Sequence, residues 1–292
     1  MDRMTTSDTS LQLEQQDHGM TDDPWGLKHA PWTIQRLWRL FGTGFSFALF
    51  GLAGLVMAIF YFPVVNLLVR DSKKREGICQ WSVHAAWRLY IDIMRGLGVL
   101  TYEIHGADIL KNARGAVVVA NHPSLIDVVM LMSCMRRTRA VVKEGVWNNP
   151  FMAGVVRGAN YIPNLGDSDR LITDCAQALK DGYNLCIFPE GSRTPEGQKR
   201  RYQRGFSYVA LEAGAKVIVC TIKVDPPTLR KGEKWRSIPT RKPHWTIRVQ
   251  DCIDTGETYG YERSVKNVRR LAKDVEAIIE GEIGTWKHSK QN

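Results

Sequence analysis

Residues 41–69, "FGTGFSFALFGLAGLVMAIFYFPVVNLLV", contain no charged side chain. A helix needs about 20 predominantly apolar residues to span the hydrocarbon core of a bilayer, and this stretch exceeds that. Soluble helices rarely run so far without a charge, so the segment predicts a membrane-embedded helix rather than one buried in a soluble core. Gly51 and Gly54 are tolerated in such a helix, and Pro63 is a place for it to kink. Trp32, Trp38 and Tyr61 suit the bilayer interfaces. Lys28, Arg36 and Arg39 precede the segment, and Arg70, Lys73, Lys74 and Arg75 follow it. Charge on both sides gives only a slight lean toward a cytosolic C-terminal side, and it equally suits a helical hairpin dipped into one leaflet. The next stretch, residues 81–99, reads either as an interfacial amphipathic helix or as a helix packed on the domain that follows. Residues 1–25 are polar and acidic, lack the basic and apolar regions of a signal peptide, and read as a disordered tail.

From about residue 100 the pattern changes. Short apolar runs, "TYEIHG", "AVVVAN", "RAVVK", "NYI", "NLCIF", "KVIVCTIKV" and "HWTIRVQ", alternate with helical stretches. Strands alternating with helices predict an α/β domain, a mostly parallel sheet flanked by helices. The helix beginning "SDRLITD" is closed by Gly182, a C-terminal cap signal. Residues 261–283 place Val265, Val268, Ala272, Val275 and Ile279 on one face, which predicts a docking helix. The organisation expected is therefore a tail over 1–25, a membrane-anchoring helical region over 26–99, an α/β domain over 100–285 and a short tail over 286–292.

The chain carries 40 Lys and Arg against 30 Asp and Glu, a formal charge of +10. That balance suits anionic lipid, nucleic acid, an acidic carrier or a phosphorylated substrate. No helix-turn-helix, finger or RNP signature supports nucleic acid. Six scattered cysteines form no C-x-x-C pair and no His lies at finger spacing, so they read as reduced, small apolar residues in a cytosol-facing protein without structural zinc.

Two polar turns follow apolar strands. In the first, "NHPSLID", residues 121–127, Ser124 and Asp127 match a capping box ahead of an apolar run, which would leave His122 a loop residue. The chemical alternative needs geometry. Two residues five apart on one helix lie about 140° out of phase. Pro123 disfavours helical dihedrals at His122, however, so His122 belongs to the turn, where Asp127 in the first helical turn can reach its imidazole. A carboxylate on one ring nitrogen fixes the tautomer and leaves the other nitrogen to take a proton. Neither "EGSRT" nor "GFSYV" is a G-x-S-x-G elbow, so the nucleophile would belong to the substrate. In the second turn, "PEGSRT", residues 189–194, Gly191 permits close backbone approach, Arg193 offers a forked donor for phosphate, and Glu190 can bind a hydroxyl or orient a base. The plain alternative is a polar turn with a Glu–Arg surface pair. Ligands gather at the carboxyl ends of strands in open α/β sheets, where both turns sit.

"NHPSLID" followed by "FPEGSRT" resembles the glycerolipid acyltransferases, the family of the 1-acylglycerol-3-phosphate acyltransferases, over about residues 80–225. Lys143, Glu144, Pro150 and Gly158 are similar to a segment the family carries between these motifs. The resemblance implies transfer of an acyl chain from a coenzyme A or acyl-carrier-protein thioester to a lysophospholipid hydroxyl, most simply that of 1-acylglycerol 3-phosphate. His122 would be the general base and Asp127 its orienting partner, with no acyl-enzyme. Glu190, Gly191, Ser192, Arg193 and Lys143 would bind substrate. It implies no cofactor beyond the thioester co-substrate, no metal and no nucleic acid. It also implies a membrane location with the site facing the cytoplasm, at the inner membrane in a bacterium. Two positions depart from the family pattern. Asn164 stands where the family commonly has an arginine for the acceptor phosphate, with Arg157 and Arg170 nearest, and Cys220 stands where a proline is usual. These open the acceptor to another lysolipid, an aminoacyl lipid or a glycolipid. Two competing readings remain: a membrane-bound ester or thioester hydrolase, and an anchored interaction or nucleic-acid-binding domain. Basic residues Lys199, Arg200, Arg201 and Arg204 would hold donor phosphates or simply form a solvated face.

Overall fold

The computed structural model describes residues 31–149, 152–194, 198–260 and 263–288. The tail over 1–25, Lys28 and Pro150 lie outside the described residues.

The apolar stretch is helical from Ile34 to Leu68, long and apolar enough to cross a membrane. It consists of α1 (Ile34–Val56), one π turn (Met57–Tyr61) and α2 (Phe62–Leu68). The π turn has a cause in the sequence. A proline ring clashes with the carbonyl four residues earlier, and Ile59, four residues before Pro63, lies inside the widened turn. Ile34, Phe41, Leu52, Phe60, Leu67 and Leu68 are all more than half exposed, so one face of this helix is apolar and uncovered. The next helix, α3 (Ser72–Gly96), begins nine residues before the predicted stretch because Asp71 caps it, accepting from the Lys73 and Lys74 amides. Its Cys79, Val83, Tyr90, Ile91 and Met94 are buried against the domain, while Trp81 and Leu89 face outward. Of the two sequence readings of this helix, packing on the domain describes the buried face.

The domain proper runs β1 (Thr101–His105), α4 (Ala107–Asn112), β2 (Val117–Ala120), α5 (Asp127–Cys134), β3 (Thr138–Lys143), α6 (Glu144–Trp147), α7 (Ala153–Gly158), β4 (Ile162–Asn164), α8 (Ser168–Lys180), β5 (Asn184–Ile187), α9 (Gly205–Ala213), β6 (Val217–Asp225), β7 (His244–Ile253), α10 (Thr255–Tyr259) and α11 (Val265–His288). The seven strands form one sheet in the order β1-β7-β6-β2-β5-β3-β4. Every pairing is parallel except β6 with β7, so β1 and β7 run opposite to the other five. The predicted α/β class with a mostly parallel sheet is the fold observed. The short strand is Ile162–Asn164, two residues later than "NYI" suggested, and α11 continues through His288, past the boundary expected at 285.

Helices cover both faces. Val118 and Ala120 of β2 pack toward α3 and α5, and Val117 and Val119 pack toward α8, α9 and α11. A strand buried on both sides needs apolar residues at every position, which is why "VVVA" is continuous rather than alternating. The ends of β2, β5, β3 and β4 share one edge, and this edge carries both polar turns.

Candidate active site

The first turn starts with a clamp. Beyond Ala120, paired with Cys220 of β6, the backbone ladder stops and the Asn121 side chain replaces it. Its Nδ2 donates to the Ile222 carbonyl at 2.8 Å and its Oδ1 accepts from the Ile222 amide at 2.7 Å. Because a side chain completes the ladder, the main chain is free to turn, and His122 leaves the sheet at the mouth of a cleft.

His122 Nδ1 lies 3.0 Å from Asp127 Oδ2. The same oxygen accepts the Ser124 amide at 2.6 Å, and Oδ1 accepts the Trp245 indole N–H at 3.0 Å. Asp127 is fully buried and its carboxyl is pushed up from its ordinary value by that burial, against the pull of His122, the Ser124 amide and the Trp245 indole. The two sequence readings of Asp127 therefore describe one carboxylate: it takes the Ser124 amide as a capping box does, and it also holds the imidazole. The other half of the box is absent. Ser124 Oγ donates to the Thr228 carbonyl at 3.0 Å, and the cap position falls at Ile126, with helix α5 opening on Asp127 itself. The His122 ring stacks on Phe188 at 4.3 Å between centroids. Nδ1 is committed to Asp127, and Nε2 has no hydrogen-bond partner among the described residues.

The second turn comes to the same place. Glu190, buried at the end of β5, accepts the His122 amide at 2.9 Å through Oε1 and the Thr194 hydroxyl through Oε2, with Arg200 Nε at 3.9 Å. Glu190 thus fixes the backbone of His122 rather than its ring. Gly191 has φ of +66°, a backbone conformation that favours glycine, while a Cβ there would meet only the movable tip of the Gln203 side chain. Ser192 Oγ lies 3.3 Å from Lys231 Nζ.

Of the predicted substrate-binding residues, Glu190 lines the cleft, Gly191 and Ser192 stay in the turn outside its lining, and Arg193 and Lys143 lie elsewhere. Arg193 turns its Nη1 onto the carbonyls of Leu229 (2.9 Å) and Arg230 (3.1 Å), and it does not line the cleft. Those carbonyls belong to an irregular segment, residues 226–243; each already accepts one backbone amide, from Leu125 and Glu233, and the guanidinium takes a second lone pair. Lys143 ends β3 on the same sheet edge but is exposed and outside the cleft lining. Neither Arg157 nor Arg170 lines it either: Arg157 stacks on Trp147, and Arg170 pairs with Asp174.

The cleft around His122 is completed by residues that the sequence did not single out: Ile222, Lys223 and Val224 of β6, Thr228 and Arg230 of the 226–243 segment, and Ile283 and Trp286 of α11. The 226–243 segment is held from its far side too. Arg36 Nε donates to the Ile238 carbonyl at 3.0 Å, and Arg39 Nη2 donates to the carbonyls of Pro239 and Thr240. Both arginines are buried, although the sequence placed them on a basic flank. All six cysteines are free thiols. Burial pushes Cys134 up to about 11 and Cys186 up to about 12, so these thiols near the site stay protonated at neutral pH and pack as apolar residues. Cys252 is the exception to the apolar reading, since it is exposed.

Fold and site together define an α/β protein with a buried His–Asp pair opening on a cleft at the carboxyl edge of its sheet. Residues 101–223 match the family model described as Acyltransferase. Among curated relatives, it is 28% identical over 111 residues to the chloroplastic 1-acyl-sn-glycerol-3-phosphate acyltransferase LPAT1 of Arabidopsis thaliana, covering 37% of this chain and 31% of that one. It is 23% identical over 209 residues to the 1-acyl-sn-glycerol-3-phosphate acyltransferase of Pseudomonas aeruginosa, covering 70% and 76%. It is 26% identical over 207 residues to the alpha enzyme of that name from Mus musculus, covering 69% and 68%. The match spans about a third of the length of the Arabidopsis relative and of its Brassica napus counterpart. The crystal structure of PlsC, the 1-acyl-sn-glycerophosphate acyltransferase of Thermotoga maritima, shares the fold with a TM-score of 0.65 at 20% identity, over 87% of this chain and 97% of that one.

Proposed function

We propose that the protein is a membrane-associated O-acyltransferase that moves a fatty acyl chain from a coenzyme A or acyl-carrier-protein thioester to the free hydroxyl of 1-acylglycerol 3-phosphate, giving phosphatidic acid. The observation that carries this reading is the 3.0 Å contact between His122 Nδ1 and the buried carboxylate of Asp127, which commits one ring nitrogen and leaves the other for a substrate proton. The acceptor hydroxyl donates to Nε2. Its oxygen attacks the thioester carbonyl carbon as its proton passes to the ring, and Asp127 stabilises the imidazolium formed. Collapse of the tetrahedral adduct breaks the carbon–sulfur bond, and the departing thiolate takes the proton back from Nε2. No residue of the protein is acylated and no resident cofactor is invoked. The relatives' printed names and the family match support the choice of acyl transfer and of this acceptor. The exposed apolar face of Ile34–Leu68 supports delivery of a lipid acceptor from the bilayer.

The test is acyl transfer by the purified protein in detergent, with a labelled long-chain thioester and a panel of lysolipids. Labelled phosphatidic acid is the expected product. Release of free fatty acid at the same rate with and without any acceptor would replace this reading with hydrolysis. Transfer confined to a lysolipid without phosphate would keep the chemistry and change the acceptor.

A further inference from the structure

We propose that Lys223, with Arg230 lining the same cleft, is the seat for the phosphate of the acceptor lipid in this protein, in place of the arginines that the motifs suggest. The inference rests on the acyltransferase reading of the same cleft. Three cations line that cleft: Arg200, Lys223 and Arg230. Arg200 is held between carboxylates, 3.9 Å from Glu190 and 3.3 Å from Glu280. Arg230 pairs with Glu233 at 3.4 Å and keeps part of its surface open to the cleft. Lys223 has no carboxylate partner among the described residues, and its ammonium stands 5.7 Å from the centroid of the Trp286 ring. A cation–π contact orients a lysine while leaving its three N–H donors for an anion. Among the described residues the one carboxylate lining the cleft is Glu190, whose oxygens are turned to the His122 amide, the Thr194 hydroxyl and, at 3.9 Å, Arg200.

Position favours the acceptor over the donor. The Asn121–Ile222 clamp joins the end of β2 to β6 at the sheet edge; His122 follows Asn121 in the turn, Lys223 follows Ile222 on β6, and both line the cleft. In 1-acylglycerol 3-phosphate, the hydroxyl to be deprotonated and the phosphate sit on neighbouring carbons. A base and an anion seat that serve them must therefore be neighbours too. The phosphates of coenzyme A and of a carrier's prosthetic group lie at the far end of a long pantetheine arm from the thioester carbon.

The test compares wild type, Lys223→Met and Lys223→Arg. Methionine keeps an apolar stem against Trp286 without the charge, and arginine restores the charge. Titration calorimetry of 1-acylglycerol 3-phosphate in detergent micelles is expected to give about tenfold weaker binding for a folded Lys223→Met, the size of one charged hydrogen bond, and near-wild-type binding for Lys223→Arg. Equal binding by wild type and Lys223→Met overturns the proposal, as does wild-type binding that does not distinguish this lipid from 1-monoacylglycerol. Acyl-transfer kinetics on the same proteins identify the source of the phosphate. A rise in KM for the phosphate acceptor alone supports the assignment, and a rise in KM for the thioester instead overturns it. The same assay separates the two claims. Phosphate-selective binding without transfer in wild type removes the acyltransferase reading and leaves the seat, and transfer indifferent to Lys223 removes the seat and leaves the reading.

Discussion

The turn after β2 and the turn after β5 leave adjacent strands at one sheet edge, and both carry a charged group three or more residues past a strand. Their outcomes differ. In the first, most polar groups converge on His122: Asn121 frees the backbone, the Ser124 amide and Trp245 hold Asp127, and Asp127 holds the ring, while Ser124 Oγ ties the turn to Thr228. In the second, Glu190 reaches across to the His122 amide, whereas Arg193 points away and secures the 226–243 segment. Each of those carbonyls takes one backbone amide and has a second lone pair, which the arginine within reach occupies. A cation in a motif is thus no guarantee of a cation in the cleft. Here, among the described residues, the cleft's cation without a carboxylate partner comes from β6.

The sharpest test of the first turn is Asp127→Asn. An amide keeps the size but presents a donor to one of three donors that the carboxylate accepts, and it cannot stabilise an imidazolium. The expected result is a fall in kcat of about 10²–10⁴-fold, measured on protein whose circular dichroism is native. A fall in melting temperature with no fall in kcat would return Asp127 to a capping role alone. Next in size is Arg193→Ala, which removes two charge-assisted bonds to carbonyls. About 1.5–3 kcal/mol of stability is expected to go, read by denaturant unfolding, with faster proteolytic cleavage within 226–243. If stability holds and only acceptor KM rises, the contrast between the turns is wrong. Trp245→Phe should cost about 1–2 kcal/mol, because it leaves one oxygen of a buried carboxylate without its donor. Smallest is Gly191→Ala, expected to lose about 1 kcal/mol through its left-handed backbone.

Much of the fold was legible because its signals are local. A continuous apolar run such as "VVVA" records burial on two faces, Gly182 with φ of +82° closes α8, and the spacing of Val268, Ala272, Val275 and Ile279 marks the buried face of α11. The His–Asp pair was legible because Pro123 and a five-residue separation hold it within one turn. What escaped is long-range. Trp245 reaches Asp127 across 118 positions, and Arg36 reaches the Ile238 carbonyl across 202. Nothing near those residues announces the partner. The direction of Arg193 depends on a segment some 36 positions later, and the strand after "VRGAN" shifted because the turn ending α7 extends through Asn160, which has φ of +54°.

The central claim is that His122 takes the acceptor's proton. It is tested most directly by the rate of acyl transfer to 1-acylglycerol 3-phosphate by folded His122→Ala beside wild type, at saturating thioester and acceptor. The account predicts a kcat lower by about 10³-fold or more with the melting temperature little changed. A folded His122→Ala that transfers the acyl chain at the wild-type rate would contradict it.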